Sequence, residues 1–296
     1  MNLSANWVFL SLACAFFTAT IALISKIILQ KKNEVFVLWV VFAFSLPIFL
    51  IILIYQPKPE LTPAFWKTIA MLLPLELVAF FLYLRALKLS ALSLVFPLLG
   101  LTPAFSILTS SIILKEKLAL PGMGGVILVS LGAYLLNANT IRTGGLLAPI
   151  KKIYREKGPM LMVIVAFIYA FSCTLGKKAI LLSSPETFPG IYYSIFFAVI
   201  TPLTLVYAKI ERLTITLEKR DIFLFVLLGA LFAVAVLLHY KAISLVNVSY
   251  MLSVKRLSLI ISVIYGAVIF KEKDIAYRML GALVMLCGVL ILSLYG

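Results

Sequence analysis

Histidine, cysteine and acidic residues are all scarce in this sequence. Its 296 residues include one His, three Cys and 11 Asp and Glu. A single histidine argues against a histidine-based metal site or catalytic triad. The cysteines Cys14, Cys173 and Cys287 lie singly in apolar stretches without a CxxC spacing, so we expect them to pack rather than to form disulfides or bind metal. No metal and no cofactor is predicted.

Two further absences concern the class of protein. The sequence has no GxxxxGKS/T phosphate-binding loop, so ATP hydrolysis by this chain is not expected. Glu76 is the only acidic residue deep inside an apolar stretch. A membrane-embedded enzyme would normally carry clustered His, Asp or Glu in or beside such stretches. The sequence is therefore not predicted to be an enzyme.

Charge of either sign is sparse. Charged residues make up 12% of the chain and hydrophobic residues 64%, which excludes a soluble domain with a polar surface. The net charge of +15 comes from Lys and Arg that mostly lie between apolar runs, where such residues set topology and contact anionic lipid headgroups. We therefore predict an integral membrane protein whose partner is the lipid bilayer and not nucleic acid.

Ten apolar runs are long enough to cross a membrane as helices. The first run is too long for the core of a signal peptide and has no basic segment before it, so we expect it to be retained. A stretch with glycines and prolines, residues 139–158, divides the runs into two groups of five. The runs cover residues 7–30, 34–55, 64–86, 91–114, 121–138, 159–182, 187–208, 221–243, 246–270 and 275–294.

The two groups of runs are copies of each other. A shift of 156 residues aligns charges and glycines together, and a shift of 151 aligns the first run of each group. Because each copy has five spans, an odd number, the second copy must cross the membrane in the opposite sense, as in the inverted repeats of secondary transporters. The aligned pairs include Lys115-Glu116-Lys117 with Lys271-Glu272-Lys273, Gly125 with Gly281, Gly132 with Gly288, and Lys26 with Lys177.

These features predict an all-α membrane protein with ten transmembrane helices in two inverted five-helix repeats. The repeats are residues 1–138 and 159–296, with residues 139–158 as the linker. Seven basic residues fall on the side of the termini and 17 on the other side, so the positive-inside rule predicts that both termini face outward. The expected location is a prokaryotic inner membrane.

Two adjacent cations, Lys255 and Arg256, lie in the middle of the ninth run. Lys255 is nine residues from Val246, or about 14 Å along a helix, and the hydrocarbon core is about 30 Å thick. A cation at that depth costs roughly 2.5–3.5 kcal/mol on insertion scales. The cations could therefore bind an anionic substrate group, or Glu76 could neutralise one of them in a structural ion pair.

We interpret Lys255 and Arg256 as substrate-binding residues, because one carboxylate cannot neutralise two cations. Glu76 would then tune the site and could carry a coupling proton. If the ninth run is one continuous helix, Ser258 and Ser262 lie on the face of Lys255 and belong to the same site.

Other candidate residues have packing or anchoring as their alternative role. Tyr83, its repeat mate His239, and Tyr240 and Tyr250 could line the cavity, and His239 could shuttle protons. The remaining candidates concern movement. Pro97 and Pro103 break the fourth run and could form a hinge, while Lys26 and Lys177 could gate the site or snorkel to the interface.

The sequence resembles the EamA-type transporters of the drug/metabolite transporter superfamily. The resemblance rests on ten spans in two copies, each closing its fourth span with Glu116 or Glu272, and on Pro103 thirteen residues before Glu116. Lys255-Arg256 is similar to the Lys-Arg pair of the plastid sugar-phosphate/phosphate translocators in the same superfamily. The resemblance implies that such a pair grips a phosphate.

The leading functional prediction is a secondary transporter that moves a small polar, anionic metabolite, bearing phosphate or carboxylate, by alternating access. Coupling would be to a proton or to an exchanged anion. One alternative is an exporter of amino acids, nucleoside-like or amphiphilic compounds. A second is a membrane-embedded enzyme or partner protein that acts on lipid phosphates.

Overall fold

The computed structural model describes residues 3–136, 155–212, 218–269 and 275–295. Within these ranges every regular element is helical. The helices are α1 (Leu3–Leu29), α2 (Glu34–Tyr55), α3 (Pro63–Leu89), α4 (Leu92–Val95), a 3₁₀ helix (Phe96–Leu101), α5 (Thr102–Ile113), α6 (Leu120–Leu135), α7 (Lys157–Leu181), α8 (Phe188–Ile210), α9 (Lys219–Leu245), α10 (Val248–Lys255), α11 (Ser258–Ile269) and α12 (Ile275–Tyr295).

Several helices begin at residues that can cap them. Asn33 accepts a hydrogen bond from the backbone N–H of Val35 (2.8 Å) at the start of α2, and Thr62 accepts one from Phe65 (3.4 Å) at the start of α3. The first N–H groups of a helix have no partner within the helix, and lipid offers none. The caps therefore satisfy donors near the membrane boundary.

Eight segments of the described chain are long and apolar enough to cross a membrane. Two further apolar helices are shorter, α6 and the Leu280–Tyr295 part of α12. With 16 residues, α6 is about 24 Å long, compared with a hydrocarbon core of about 30 Å. The all-α membrane class is confirmed, and the count of ten spans stays a prediction.

The fourth predicted span is not one regular helix. It consists of α4, the 3₁₀ helix and α5, with Pro97 at the start of the 3₁₀ helix and Pro103 at the start of α5. A proline has no N–H to donate and clashes with the carbonyl four residues earlier, so it is tolerated at the first turn of a new helical segment. Both prolines are buried, and Ser106 donates a hydrogen bond to the carbonyl of Pro103 (2.7 Å).

The ninth predicted span is also broken, although it contains no proline. Helix α10 ends at Lys255 and α11 begins at Ser258. Between them the backbone N–H of Leu257 donates to Val254 (3.0 Å) and that of Leu259 to Arg256 (2.9 Å), so the chain tightens into three-residue turns. The break lies 156 residues after the one at Leu101–Thr102, so the two spans are interrupted at equivalent positions.

Each half also has an ion pair between the start of its second helix, or the turn just before it, and the last turns of its third helix. In the first half Glu34, which is 1% exposed, pairs with Arg85 and with Lys88 (2.7 Å). In the second half Glu186 pairs with Lys241 (2.6 Å), the residue aligned with Arg85. The repeat read from the sequence therefore extends to tertiary contacts. Lys271-Glu272-Lys273 and most of the predicted linker 139–158 lie outside the described residues.

A seam of glycines joins α6 to α12. A Cβ added to Gly125 would lie 2.9 Å from the carbonyl oxygen of Gly288, and one added to Gly132 would lie 2.7 Å from that of Gly281. Pairing of 125 with 288 and of 132 with 281 means that the helices run antiparallel. Glycines allow the backbones to touch, as in membrane helix pairs that associate through small residues.

We expect Gly132→Ala to destabilise the protein and Gly124→Ala not to. The new methyl at 132 would lie 2.6 Å from the backbone nitrogen of Met285, whereas nothing lies within 4 Å of one at 124. Overpacking costs about 1–3 kcal/mol, while alanine is favoured over glycine in a helix by about 0.5–1 kcal/mol. Thermal unfolding in detergent should therefore show a lower midpoint for Gly132→Ala only. Equal midpoints for the two variants would contradict the seam.

Candidate functional site

A cavity of about 140 Å³ lies between the two halves of the chain. Residues of α1, α3 and the 3₁₀ helix line it from the first half, and residues of α7, α8, α9 and α10 from the second, together with Arg256. The lining residues are Thr18, Ile21, Glu76, Phe80, Tyr83, Phe96, Leu99, Tyr169, Ser172, Cys173, Tyr193, Phe232, Ala235, Val236, His239, Tyr240, Leu252, Lys255 and Arg256.

Lys255 is the last residue of α10 and lies beside His239. Its Nζ is 3.4 Å from Nδ1 of the imidazole. An ammonium group can only donate, so Nδ1 is the acceptor and the ring proton is on Nε2. The position of Lys255 also has an electrostatic reason, because the C-terminal carbonyls of a helix favour a nearby cation. The end of α10 thus stabilises a charge that lipid could not.

Arg256 directly follows α10 and reaches across to the first half. It is 4% exposed, and its Nη2 donates a hydrogen bond to Oγ1 of Thr102 (2.9 Å), the first residue of α5. Nε of Arg256 has no hydrogen-bond partner among the described residues. A buried charged donor without an acceptor is costly, so an acceptor supplied by a ligand would stabilise this nitrogen.

Glu76 lies in the middle of α3 and is 8% exposed. In the part of the chain that the structure describes, it forms no ion pair with Lys255 or Arg256, and its Oε2 accepts no hydrogen bond. The hydroxyl of Tyr192 is near the carboxylate but does not reach hydrogen-bonding geometry with Oε2. The cavity therefore contains two cations and one carboxylate that do not contact each other directly.

Aromatic side chains form most of the remaining wall. Phe80 packs against Tyr169 with ring centroids 6.1 Å apart, and Tyr83 packs against Phe96 at 6.5 Å. The hydroxyls of Tyr193 and Tyr240 are 3.3 Å apart. Such a wall suits an apolar or flat ligand body, while the tyrosine hydroxyls can orient it.

The structure brings six of the predicted site residues to this cavity: Lys255, Arg256, Glu76, Tyr83, His239 and Tyr240. Three others lie elsewhere. Tyr250 accepts a hydrogen bond from the backbone of Ala119 (3.2 Å), and Ser258 and Ser262 are fully buried outside the lining. The helix is interrupted after Lys255, so the helical face extrapolated from Lys255 does not continue to these serines.

The residues predicted to govern movement also lie outside the lining. Pro97 and Pro103 occupy the break of the fourth span, as described above. Lys26 donates to the carbonyls of Leu87 (2.5 Å) and Ser90 (2.7 Å). Lys177, which is 8% exposed, donates to the carbonyl of Val246 (2.7 Å) and pairs with Glu116 (2.5 Å).

Sequence reasoning missed Thr102, Tyr169, Tyr193 and the small polar residues of the cavity. Thr102 carried a signal that could have been used, because it is the repeat mate of Ser258. The side chain of Arg256 reaches Thr102. The residue aligned with Arg256 in the first half is Gly100, which has no side chain that could reach Ser258 in the same way. Accordingly, Oγ of Ser258 has no hydrogen-bond partner among the described residues.

No cluster of three or more His, Cys, Asp or Glu that could hold a metal occurs in the described part of the chain.

Comparison with known proteins identifies a family and a fold. The model of the EamA-like transporter family matches residues 5–138 and 156–294. A crystal structure of another protein aligns with a TM-score of 0.72 and 15% sequence identity, covering 97% of this chain and 99% of that one. At this identity the likeness concerns the fold alone. No curated protein sequence matches the chain.

We expect Thr102→Val to lower stability and Ser258→Ala to leave it unchanged. Valine removes the acceptor of a buried guanidinium, and a hydrogen bond to a charged group contributes about 1.5–3 kcal/mol. Ser258 is equally buried but has no partner to lose. Thermal unfolding of the purified protein measures both effects, and Thr102→Ser should restore the wild-type midpoint. A loss of stability in Ser258→Ala as large as in Thr102→Val would contradict the assignment.

Proposed function

The chain belongs to the EamA-like transporter family of the drug/metabolite transporter superfamily, and on this premise we propose that it is a secondary transporter of a small anionic metabolite. Members of this family are transporters and not enzymes, and their substrates are small molecules that cross a lipid bilayer. The substrate would bind in the cavity and reach each side in turn by alternating access between the halves.

The observation that carries the proposal is the unbalanced charge of the cavity. Lys255 and Arg256 give two positive charges and Glu76 at most one negative charge. With all three ionised, one positive charge is left in a low-dielectric site, where a charge without a partner is costly. A ligand with one negative charge restores the balance, so a carboxylate or a singly ionised phosphate is favoured.

The surroundings of Arg256 support the same conclusion. Its guanidinium lies at the N-terminal end of α5, because it contacts Thr102 there. Helix N-termini favour anions and not cations. An anion bound to the free Nε would interact favourably with both the guanidinium and the helix end.

The size of the cavity limits the substrate. A volume of about 140 Å³ is similar to the roughly 150 Å³ of an engineered protein cavity that binds benzene. A ligand with one ring or a few carbon atoms fits this space, and a sugar nucleotide does not fit without further opening. The aromatic wall favours a compact anion with an apolar body.

Alternating access requires two halves that move against each other. We propose the inverted ten-helix arrangement, with repeats 1–138 and 159–296, linker 139–158 and outward-facing termini in a prokaryotic inner membrane. The reciprocal glycine contacts between antiparallel α6 and α12 support the inversion. The breaks at Pro97–Pro103 and Lys255–Ser258 would serve as hinges, in line with the discontinuous helices of other secondary transporters.

A second candidate substrate is a zwitterion such as an amino acid with an apolar side chain. It is favoured by Oε2 of Glu76, a buried carboxylate oxygen without a hydrogen-bond donor among the described residues. The carboxylate of the ligand would bind at Lys255 and Arg256 and its ammonium group at Glu76. For a simple anion, Glu76 would instead carry a coupling proton, with His239 beside Lys255 as a relay.

Binding of a charge series tests the anion proposal. Phenylpropionate, phenyl phosphate and phenethylamine share a phenyl ring and differ in charge, and each can be tested for its effect on thermal unfolding. We expect the anions to raise the midpoint of the wild type, since a ligand at 100 times its Kd stabilises by about 2.7 kcal/mol. Lys255→Gln and Arg256→Gln should lose most of this shift. The proposal is wrong if phenethylamine alone stabilises the wild type. It is also wrong if the anions raise the midpoints of Lys255→Gln and Arg256→Gln as much as that of the wild type.

Glu76→Gln separates the two substrate classes. Phenylalanine has the ammonium group that phenylpropionate lacks. If the natural substrate is a zwitterion, we expect Glu76→Gln to weaken the binding of phenylalanine by roughly 10-fold or more, because an ionic hydrogen bond is lost. For phenylpropionate the affinity should hold or improve, since a negative charge has been removed. Counterflow of the better ligand into proteoliposomes, with and without a pH gradient, then shows whether Glu76→Gln abolishes proton coupling.

A further inference from the structure

Glu116 joins the two halves of the chain far from the cavity cations. It follows α5 of the first half, and its Oε1 pairs with Nζ of Lys177 in the second half (2.5 Å). Its Oε2 accepts a hydrogen bond from the backbone N–H of Val248 (3.0 Å), also in the second half. The side chains of Glu116 and Lys177 are only about one-tenth exposed, at 9% and 10%. A single carboxylate thus makes two buried contacts across the boundary between the halves.

The contact with Val248 places Glu116 at the start of α10. This helix has eight residues and is about 12 Å long. The carboxylate caps its N-terminus, where a negative charge is favoured by the helix dipole. The other end of the same helix is Lys255, so Glu116 and the cavity cation lie at opposite ends of one short rigid element.

Helix α10 is attached to the first half along its length, although it belongs to the second. The hydroxyls of Ser249 and Ser106 are 3.0 Å apart, and Tyr250 bonds to the backbone of Ala119 (3.2 Å). At its C-terminal end Arg256 bonds to Thr102 (2.9 Å). The break at 256–257 separates α10 from α11, so α10 can move without carrying α11 along as one rigid helix.

We propose that Glu116 and Lys177 form a latch between the halves, and that α10 transmits its opening to Lys255 and Arg256. Glu116 is then a positioning residue for transport, because it acts on the substrate site through α10 and touches no substrate. Lys177 connects the latch to the second half through its bond to the carbonyl of Val246 (2.7 Å). The inference rests on the alternating access of the proposed function but not on the charge of the substrate.

Glu116→Gln tests the latch with little change in shape. Glutamine keeps an oxygen that can accept from Val248, but it loses the ion pair with Lys177. Lys177→Gln removes the same pair from the other side and provides a second variant if the first fails to fold. Glu186→Gln and Lys241→Gln are controls for the loss of charge, because they remove a more exposed ion pair of similar length (2.6 Å) that lies within the second half.

Alkylation of Cys173 reports the opening of the cavity without any substrate. Cys173 lines the cavity, Cys14 is fully buried, and the exposed Cys287 can be replaced by Ser. The rate of reaction with N-ethylmaleimide is measured in the Cys287→Ser protein in liposomes, with Cys173→Ser as the blank. We expect Glu116→Gln and Lys177→Gln each to raise the rate by roughly fivefold or more, the lower range of allosteric couplings. The double variant should not exceed either single variant.

The controls Glu186→Gln and Lys241→Gln should react at the wild-type rate. Unchanged alkylation in both latch variants, with unfolding midpoints like the wild type, would overturn the latch, as would equal acceleration in the controls. Because no ligand is used, this failure is distinct from a failure of the anion proposal, which shows as unchanged ligand shifts in Lys255→Gln and Arg256→Gln.

Discussion

Two cations at the middle of a membrane are the constraint on which the rest of this structure depends. Lipid cannot solvate Lys255 or Arg256, so the protein must supply their surroundings. The end of α10 offers carbonyls, His239 and Thr102 offer acceptors, and the packed helices exclude lipid. In this arrangement the ninth span stops at the cations. Glu76 forms no ion pair with either cation among the described residues, and the proposed binding of an anion rests on this feature.

Much of the fold could be predicted from the sequence, because apolar length and an internal repeat are properties that a linear chain displays. The helical membrane class and the family followed from them. The break of the ninth span could not be predicted in the same way, since no proline marks it. It consists of tight turns at Leu257 and Leu259, next to the hydrogen bond from Arg256 to Thr102. The repeat still held a clue, because the prolines of the fourth span lie at the equivalent depth.

The candidate site was predicted where a residue is chemically unusual for its depth. Lys255, Arg256 and Glu76 are charges inside apolar runs, and the structure places all three at one cavity. Ser258 was assigned to the site by a helical face that ends at the break. Neutral wall residues such as Tyr169 resemble ordinary core residues in a sequence. Their role depends on packing between halves, which a linear pattern does not record.

The glycine seam between α6 and α12 has a consequence for how the halves can move. Backbone contacts at Gly125–Gly288 and Gly132–Gly281 are separated by seven residues, or about 10 Å along each helix. Sliding would drive the carbonyls past neighbouring side chains such as Met285, while tilting about the contact line changes these distances little. We therefore expect α6 and α12 to tilt about the glycine seam and not to slide along it.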